Sequence, residues 1–414
     1  MTRVRYHHGG SLVSTDFARQ TVASASSRSL GLAWIVVFSA FWDLFSQQPV
    51  IATLARDLGA NALMQGWTVG IYSLCNLFGN VVAGVLLDRF DRVRILRLGM
   101  AGVALAACLC ALATTPTLLL LSRCVHGMAA AVLTPGAFAI IGDAAPRGER
   151  GKAMGKTGAL ICVAAILAPP IAGSIRDTLG ASAVFFITAG LMGAILVVSA
   201  GHTTPRAATT MPRTPLSLRA LLTQPTLGAA NAAALGMTVA LGVIVTQLPL
   251  LVEAHGGKMM HTGMALAAYA FVSLVLMSSP IVRFSDRHGR RTPVLAGLCV
   301  IAAALVCLSL AGTYVQLIAC LMLFGVGFGL VFPAATAWVT DATDAHSRGE
   351  AFGIFYAVYS LGVAGGSIGS GAVVHHFANR GDSALLGAAV VCSFGFLVFW
   401  LTAGERAPQT VSGL

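Results

Sequence analysis

Asp43 and Arg123 are strong charges set deep inside apolar sequence. Such groups are costly in an apolar medium and are usually paired or functional there. Asp43 is the only acidic residue well within an apolar run. Two chemistries fit the pair. One is a structural ion pair that lets both charges be buried. The other is a proton site, in which a carboxylate alternately dry and wet takes up and releases a proton while Arg123 tunes it. A cationic ligand could compete for the same carboxylate. Gln47 follows Asp43 by one helical turn and shares its face, where it could hydrogen-bond a ligand. His126 lies three residues after Arg123 on the same face, and reads either as an interhelical hydrogen-bond group or as a proton relay. Asn76 and Asn80 form an i, i+4 pair suited to joining helices or lining a cavity. Tyr72, Trp42, Tyr269, Tyr356, Tyr359 and Trp338 are candidate aromatic walls. The nine cysteines all fall in apolar runs without metal-site spacing, and read as small core residues. No metal site and no cofactor is expected. P-loop, HExxH and GxSxG motifs are absent, so the chain does not read as an enzyme.

The elements that must carry these residues follow from composition. Of 414 residues, 57% are hydrophobic and 10% charged, with a mean hydropathy of +0.82. Soluble domains carry about 25% charged residues. The shortage of charge excludes a soluble protein and points to an all-α polytopic membrane protein. Apolar runs of about 20 residues predict twelve transmembrane helices. They cover about 32–55, 65–87, 95–113, 117–142, 154–175, 181–200, 226–252, 262–284, 293–311, 314–340, 351–374 and 383–402. At about 1.5 Å per residue, Asp43 lies roughly 16 Å and Arg123 roughly 20 Å from the same membrane face.

The net charge of +11 raises nucleic acid as a partner, but the distribution argues for topology instead. With the N-terminus inside, 21 of 26 basic residues fall on the cytoplasmic side. Arg56, Arg176, Lys258 and Arg380 fall outside, and Arg123 lies within a span. Both termini are therefore expected in the cytoplasm. The absence of an Asn-x-Ser/Thr sequon fits a bacterial inner membrane. The expected organisation is a cytoplasmic tail (1–31), a six-helix bundle (32–200), a cytoplasmic linker rich in Thr and Pro (201–225), a second bundle (226–402) and a short tail (403–414).

The two bundles repeat each other. Asp88-Arg89 matches Asp286-Arg287, Arg92 matches Arg290, and Gly127 matches Gly325. Pro135 matches Pro333, and Asp143 matches Asp341, all at an offset of 198. Gln47 and Pro49 match Gln247 and Pro249 at 200, which makes Gln247 a further cavity candidate. Leu321 stands where Arg123 would recur, so the deep charges belong to one half only. Parallel repeats place a site at their interface near the bilayer midplane.

The loop Gly84-Val-Leu-Leu-Asp88-Arg89-Phe-Asp91-Arg92-Val-Arg94 resembles the Gly-x-x-x-Asp-Arg-x-Gly-Arg-Lys/Arg loop of the major facilitator superfamily. A second copy reads Asp286-Arg287-His-Gly289-Arg290-Arg291. Asp91 and Val93 depart from the pattern in the first copy, and Val282 replaces the leading Gly in the second. Arg123-x-x-x-Gly127 resembles the family's proton-coupling pattern. Ala168-Pro169-Pro170-Ile-Ala172-Gly173 resembles its antiporter element, with two glycines replaced by Ala, and is found in the first half only. Pro135, Pro169, Pro170 and Pro333, with Gly173, are expected to bend or closely pack their helices. The resemblance implies a transporter driven by a proton gradient, of the twelve-span drug:proton antiporter type. Asp43 and Arg123 would couple, and the loop charges, including Arg92 with Asp143 and Arg290 with Asp341, would join the halves as gates. The leading expectation is a monomeric exporter of small lipophilic or cationic compounds. The alternatives are an importer of a sugar, organic acid or osmolyte and a non-transporting sensor.

Overall fold

Every long apolar run described is helical, because in lipid a backbone must satisfy its own hydrogen bonds. The computed structural model describes residues 11–146, 148–201, 224–279, 290–343, 348–377, 385–391 and 395. The first half contains α1 (Ser11–Ser46), α2 (Ile51–Asp57), α3 (Ala62–Arg89), α4 (Arg92–Ala111), α5 (Pro116–Ala130), α6 (Leu133–Ala144), α7 (Arg150–Leu179) and α8 (Ala181–Ser199). The second contains α9 (Pro225–Ala254), α10 (Met259–Ser278), α11 (Arg291–Ser309), α12 (Tyr314–Asp341) and α13 (Arg348–His376). Among the described residues, eleven helical stretches are long and apolar enough to cross a membrane. The expected twelfth span lies largely outside the described residues, with 385–391 helical. Asp286, Arg287 and Gly289 also lie outside them, as do most of the linker and the final tail.

Short polar side chains set the helix starts. Asn61 accepts from the Met64 N–H, Asp91 from Arg94, Thr115 from Leu118 and Thr313 from Gln316. Thr115 and Thr313 are 198 apart, so the repeat reaches the caps. Two expected spans are not single helices. The first begins at Ser11, well before residue 32, and stops at Ser46. Pro49 has no N–H to donate and its ring crowds the preceding turn, so a turn replaces helix over 47–50 before α2 begins. The fourth span divides at Ala131 and Val132, just before Pro135. Pro169, Pro170 and Pro333 do not interrupt α7 and α12. The cysteines do not form a core set. Of the eight described, Cys110 is buried and Cys299 and Cys307 are exposed.

Helices α3 and α13 pack together across the halves, as do α7 and α10. Arg89, Arg92, Arg94, Arg97, Arg290 and Arg291 cluster at one end of the bundle, here called the basic end. At the opposite end the halves touch backbone to backbone. A Cβ on Gly66 of α3 would overlap the Ser367 carbonyl of α13, and one on Gly371 would overlap that of Ala62. The second seam repeats this: Gly263 of α10 meets Pro169, and Gly173 of α7 meets Met259. These glycines are required by close approach. The buried apolar residues agree. One cluster joins Val50, Ile51, Leu119 and Phe185 to Ile244, Leu248, Leu266 and Phe324 across the halves. Separate clusters, around Leu96 and Ile141 and around Leu227 and Phe355, hold each half at the basic end. There, Gly84, Gly155, Gly158 and Gly353 have open space where a Cβ would stand.

Candidate functional site

The break after Ser46 and the division before Pro135 flank the two deep charges. Asp43 occupies the last turn of α1, and Gln47 follows in the turn. Arg123 and His126 lie on one face of α5. All four side chains are buried, Asp43 at 1% and His126 at 0% exposure. The two helix faces expected from residue spacing therefore converge on one point.

The link between Asp43 and Arg123 is indirect. Arg123 donates from one terminal nitrogen to Gln47 Oε1, and Gln47 Nε2 donates to Asp43 Oδ1. The same Arg123 nitrogen lies 3.3 Å from His126 Nδ1, and His126 Nε2 lies 2.9 Å from Asp43 Oδ2. Arg123 has only donors, so His126 Nδ1 accepts, and the proton of the neutral imidazole sits on Nε2. That N–H points at a carboxylate. Each carboxylate oxygen of Asp43 thus has one hydrogen-bond partner, Gln47 Nε2 at Oδ1 and His126 Nε2 at Oδ2. The guanidinium and carboxyl groups are thus joined by two parallel bridges in a closed ring of four side chains. Asp43 and Arg123 are therefore linked through Gln47 and His126. Tyr72 completes the site: Arg123 lies 4.4 Å above its ring, and His126 meets the ring edge-on at 5.4 Å. Arg123 Nε is buried without a hydrogen-bond partner among the described residues.

Asn76 donates to the Gly127 carbonyl at 3.2 Å and receives from Asn80, fixing α3 against α5 beside the ring. Gln247 does not repeat the role of Gln47. It donates to Ser370 of α13 at 3.2 Å, within its own half. The loop charges pair as Arg92 with Asp143 and Arg290 with Asp341. These are the pairings expected from the sequence, and each stays within one half, so neither pair makes the expected link between the halves. The reason is topological, since residues 51 apart in sequence lie on packed helices of one bundle. Asp88 and Arg89 are exposed at the basic end of α3, and Asp91 caps α4.

Charges that do join the halves lie at the other end, and the motifs gave no sign of them. Arg56 of α2 pairs with Glu253 of α9 and with Asp57, which also receives Arg176 of α7. Asp177 accepts the Met259 and Met260 N–H groups at 2.9 and 2.8 Å, capping α10 from the opposite half. The hydrogen bond that Arg56 donates to Glu253 raises its affinity for its proton, so this cation stays charged at every working pH. The available signal was a pair of Arg-Asp dipeptides, 56–57 and 176–177, on the side where charge is scarce.

The Major Facilitator Superfamily model matches residues 33–279 and again 233–413. The chain belongs to this family. An uncharacterised MFS-type transporter of Mycobacterium tuberculosis is 31% identical over 37% of this chain, a stretch spanning 22% of that protein. Multidrug resistance protein MdtG of Citrobacter koseri is 25% identical over 91% of this chain and 92% of its own. Among solved structures, a bacterial homologue of the human lysosomal transporter Spinster, in an inward-facing and occupied conformation, shares the fold. Its TM-score is 0.78 at 15% identity, over 92% of this chain and 99% of that one. The chain thus has the major facilitator fold, and its deep charges lie in the half that carries the Arg-x-x-x-Gly element.

Proposed function

We propose that this transporter exports small lipophilic or cationic compounds in exchange for protons, with Asp43 as the shared site. The observation that carries the reading is the four-residue ring, because it makes proton and cation compete. Protonated Asp43 must donate, yet both its neighbours, Gln47 Nε2–H and His126 Nε2–H, are donors. One must turn away, and the ring opens. The site then carries the uncompensated charge of Arg123 and repels a cation. Ionised Asp43 accepts a cation in place of one bridge. Exclusive occupancy of one carboxylate is the thermodynamic basis of exchange.

The basic end faces the cytoplasm on this reading, since loop arginines and lysines concentrate there. The linker and tails share that side, in a bacterial inner membrane. On this reading the described arrangement is the inward-open state, supported by the tight glycine seams at the far end and by the open space at Gly84, Gly155, Gly158 and Gly353 at the basic end. Rocking of the halves about the midplane would open the far end and close the basic end. The similarity to a multidrug resistance protein along nearly the whole chain supports export. A resistance screen tests the direction. A strain overproducing the protein is grown against a panel of toxic compounds, with Asp43→Asn as control. Increased resistance that is lost in Asp43→Asn is expected. Hypersensitivity, the sign of uptake, would contradict export.

A further inference from the structure

The second seam between the halves closes on the first turn of α10. Asp177 of α7 accepts the Met259 and Met260 N–H groups at 2.9 and 2.8 Å. A Cβ on Gly173 of α7 would overlap the Met259 carbonyl, and one on Gly263 of α10 would overlap that of Pro169. His261 lies between these contacts. Its Nδ1 accepts the Lys258 N–H at 2.8 Å, so the imidazole satisfies a further N–H of the same helix start. Tyr314 of α12 holds the residue in place. Its hydroxyl donates to the His261 carbonyl at 2.9 Å, and its ring meets the imidazole at 4.8 Å.

The start of α12 carries the same device in a form that cannot titrate. There Gln316 Oε1 accepts the Thr313 N–H at 3.1 Å, again three residues past the cap. An amide keeps that bond at any pH. An imidazole keeps it only while neutral, because the protonated ring has two donors and no acceptor. Histidine ordinarily changes charge between about pH 5 and 8. A proton on Nδ1 then faces the Lys258 N–H, donor against donor, and the side chain must turn away. The charged groups at this joint are Lys258 on the same helix start, and Asp177 and Arg176 on α7, the latter engaged by Asp57. From α9 come Glu253, paired with Arg56, and His255. Lys258 and the helix start both disfavour an imidazolium. Asp177 attracts it, but a carboxylate drawn to His261 gives up its bonds to Met259 and Met260. Both outcomes loosen the same joint. His255 is different: its Nδ1 donates to the Leu251 carbonyl at 2.8 Å, a bond that protonation preserves.

We propose that His261 is a second proton site, at the far end, whose occupation releases the joint between α7 and α10 and favours opening there. The cap is present while His261 is neutral and is lost as pH falls through its titration. On the orientation proposed above, the far end faces outside. External acid then promotes the opening through which Asp43 takes up its proton. The side of the membrane rests on that reading, and the pH dependence rests on the cap alone.

The test uses the full-length protein in detergent, where neither transport nor sidedness enters. Spin labels on Leu58→Cys and His255→Cys, with native cysteines removed, report the far-end separation. Asp43→Asn in the same background takes the central carboxyl out of the titration, and the label replaces His255. Ordinary carboxylates titrate near pH 4, below the range of about pH 5.5 to 8 over which imidazole responds. With His261 present, the ratio of open to closed far end is expected to rise about fivefold from pH 8 to pH 5.5, the effect of one lost cap. His261→Gln, which supplies the amide that Gln316 uses, is expected to hold the pH 8 ratio throughout. His261→Ala, with no acceptor, is expected to show the acid ratio at both pH values. No rise with His261 present, a rise that persists in His261→Gln, or a pH 8 ratio in His261→Ala equal to that with His261 would overturn the switch. The exporter reading is decided separately by the resistance screen.

Discussion

At the scale of single residues, Gln47 and His126 each bridge a guanidinium to a carboxylate in a buried site. Removing one bridge leaves Asp43 and Arg123 each short of one partner, at a cost of roughly 1–3 kcal/mol. Gln47→Leu and His126→Leu are each expected to destabilise by that order in chemical unfolding in detergent. Because both act on the same two charges, the double variant should depart from additivity by about 0.5–3 kcal/mol. A sum additive within roughly 0.5 kcal/mol would show that the ring is not one unit. The faces of this site were legible in the sequence. Spacings of four and three residues put Gln47 with Asp43 and His126 with Arg123. The bonding order was not legible. Whether Asp43 meets Arg123 directly or through a bridge depends on how α1 and α5 rotate toward one another, and spacing within a helix carries no information on that.

At the scale of elements, α3 carries one glycine-bearing face through two environments. Gly66 and Gly70 sit in the closed seam opposite Ile368 and Ala364. Continued along α13 in the same register, that row sets Gly84 against Glu350. One kind of substitution should therefore act with opposite signs at the two ends. Gly66→Val forces the far-end seam apart and favours the state opened there. Gly84→Val meets open space now and obstructs closure of the basic end, so it favours the present state. Spin labels on Leu58→Cys and His255→Cys, in a background without native cysteines, read the far-end separation. The distance should lengthen in Gly66→Val and not in Gly84→Val. Equal shifts in both variants would contradict the seam. The apolar runs announced nearly every helix but not the breaks. Pro49 and Pro135 stand at interruptions whereas Pro169 and Pro333 lie in continuous helix, because a proline's missing bond is tolerated or not according to its packing.

At the scale of the whole molecule, the repeat was plain in the sequence because loop residues 198 apart agree, from Asp88 to Gly353. The state of the molecule was not, since both states of a rocking bundle share one sequence and differ by a few contacts. Those contacts are the far-end pairs and the Asp177 cap. Asp177→Asn keeps the shape and gives up charge at the start of α10. Losing a cap costs about 1 kcal/mol, roughly a fivefold shift of the equilibrium toward opening at that end. Labelling of a far-end cysteine by a membrane-impermeant reagent should speed up accordingly, and an unchanged rate would remove the cap from the latch. Both ends matter only if Asp43 carries the proton between them. The most direct measurement uses proteoliposomes with a pH-sensitive dye inside and ethidium added outside. Wild-type protein should move protons against the movement of ethidium, and an imposed pH gradient should drive ethidium. Asp43→Asn, inserted to the same level, should do neither. Proton movement in Asp43→Asn equal to wild type would contradict the assignment of Asp43 as the exchange site.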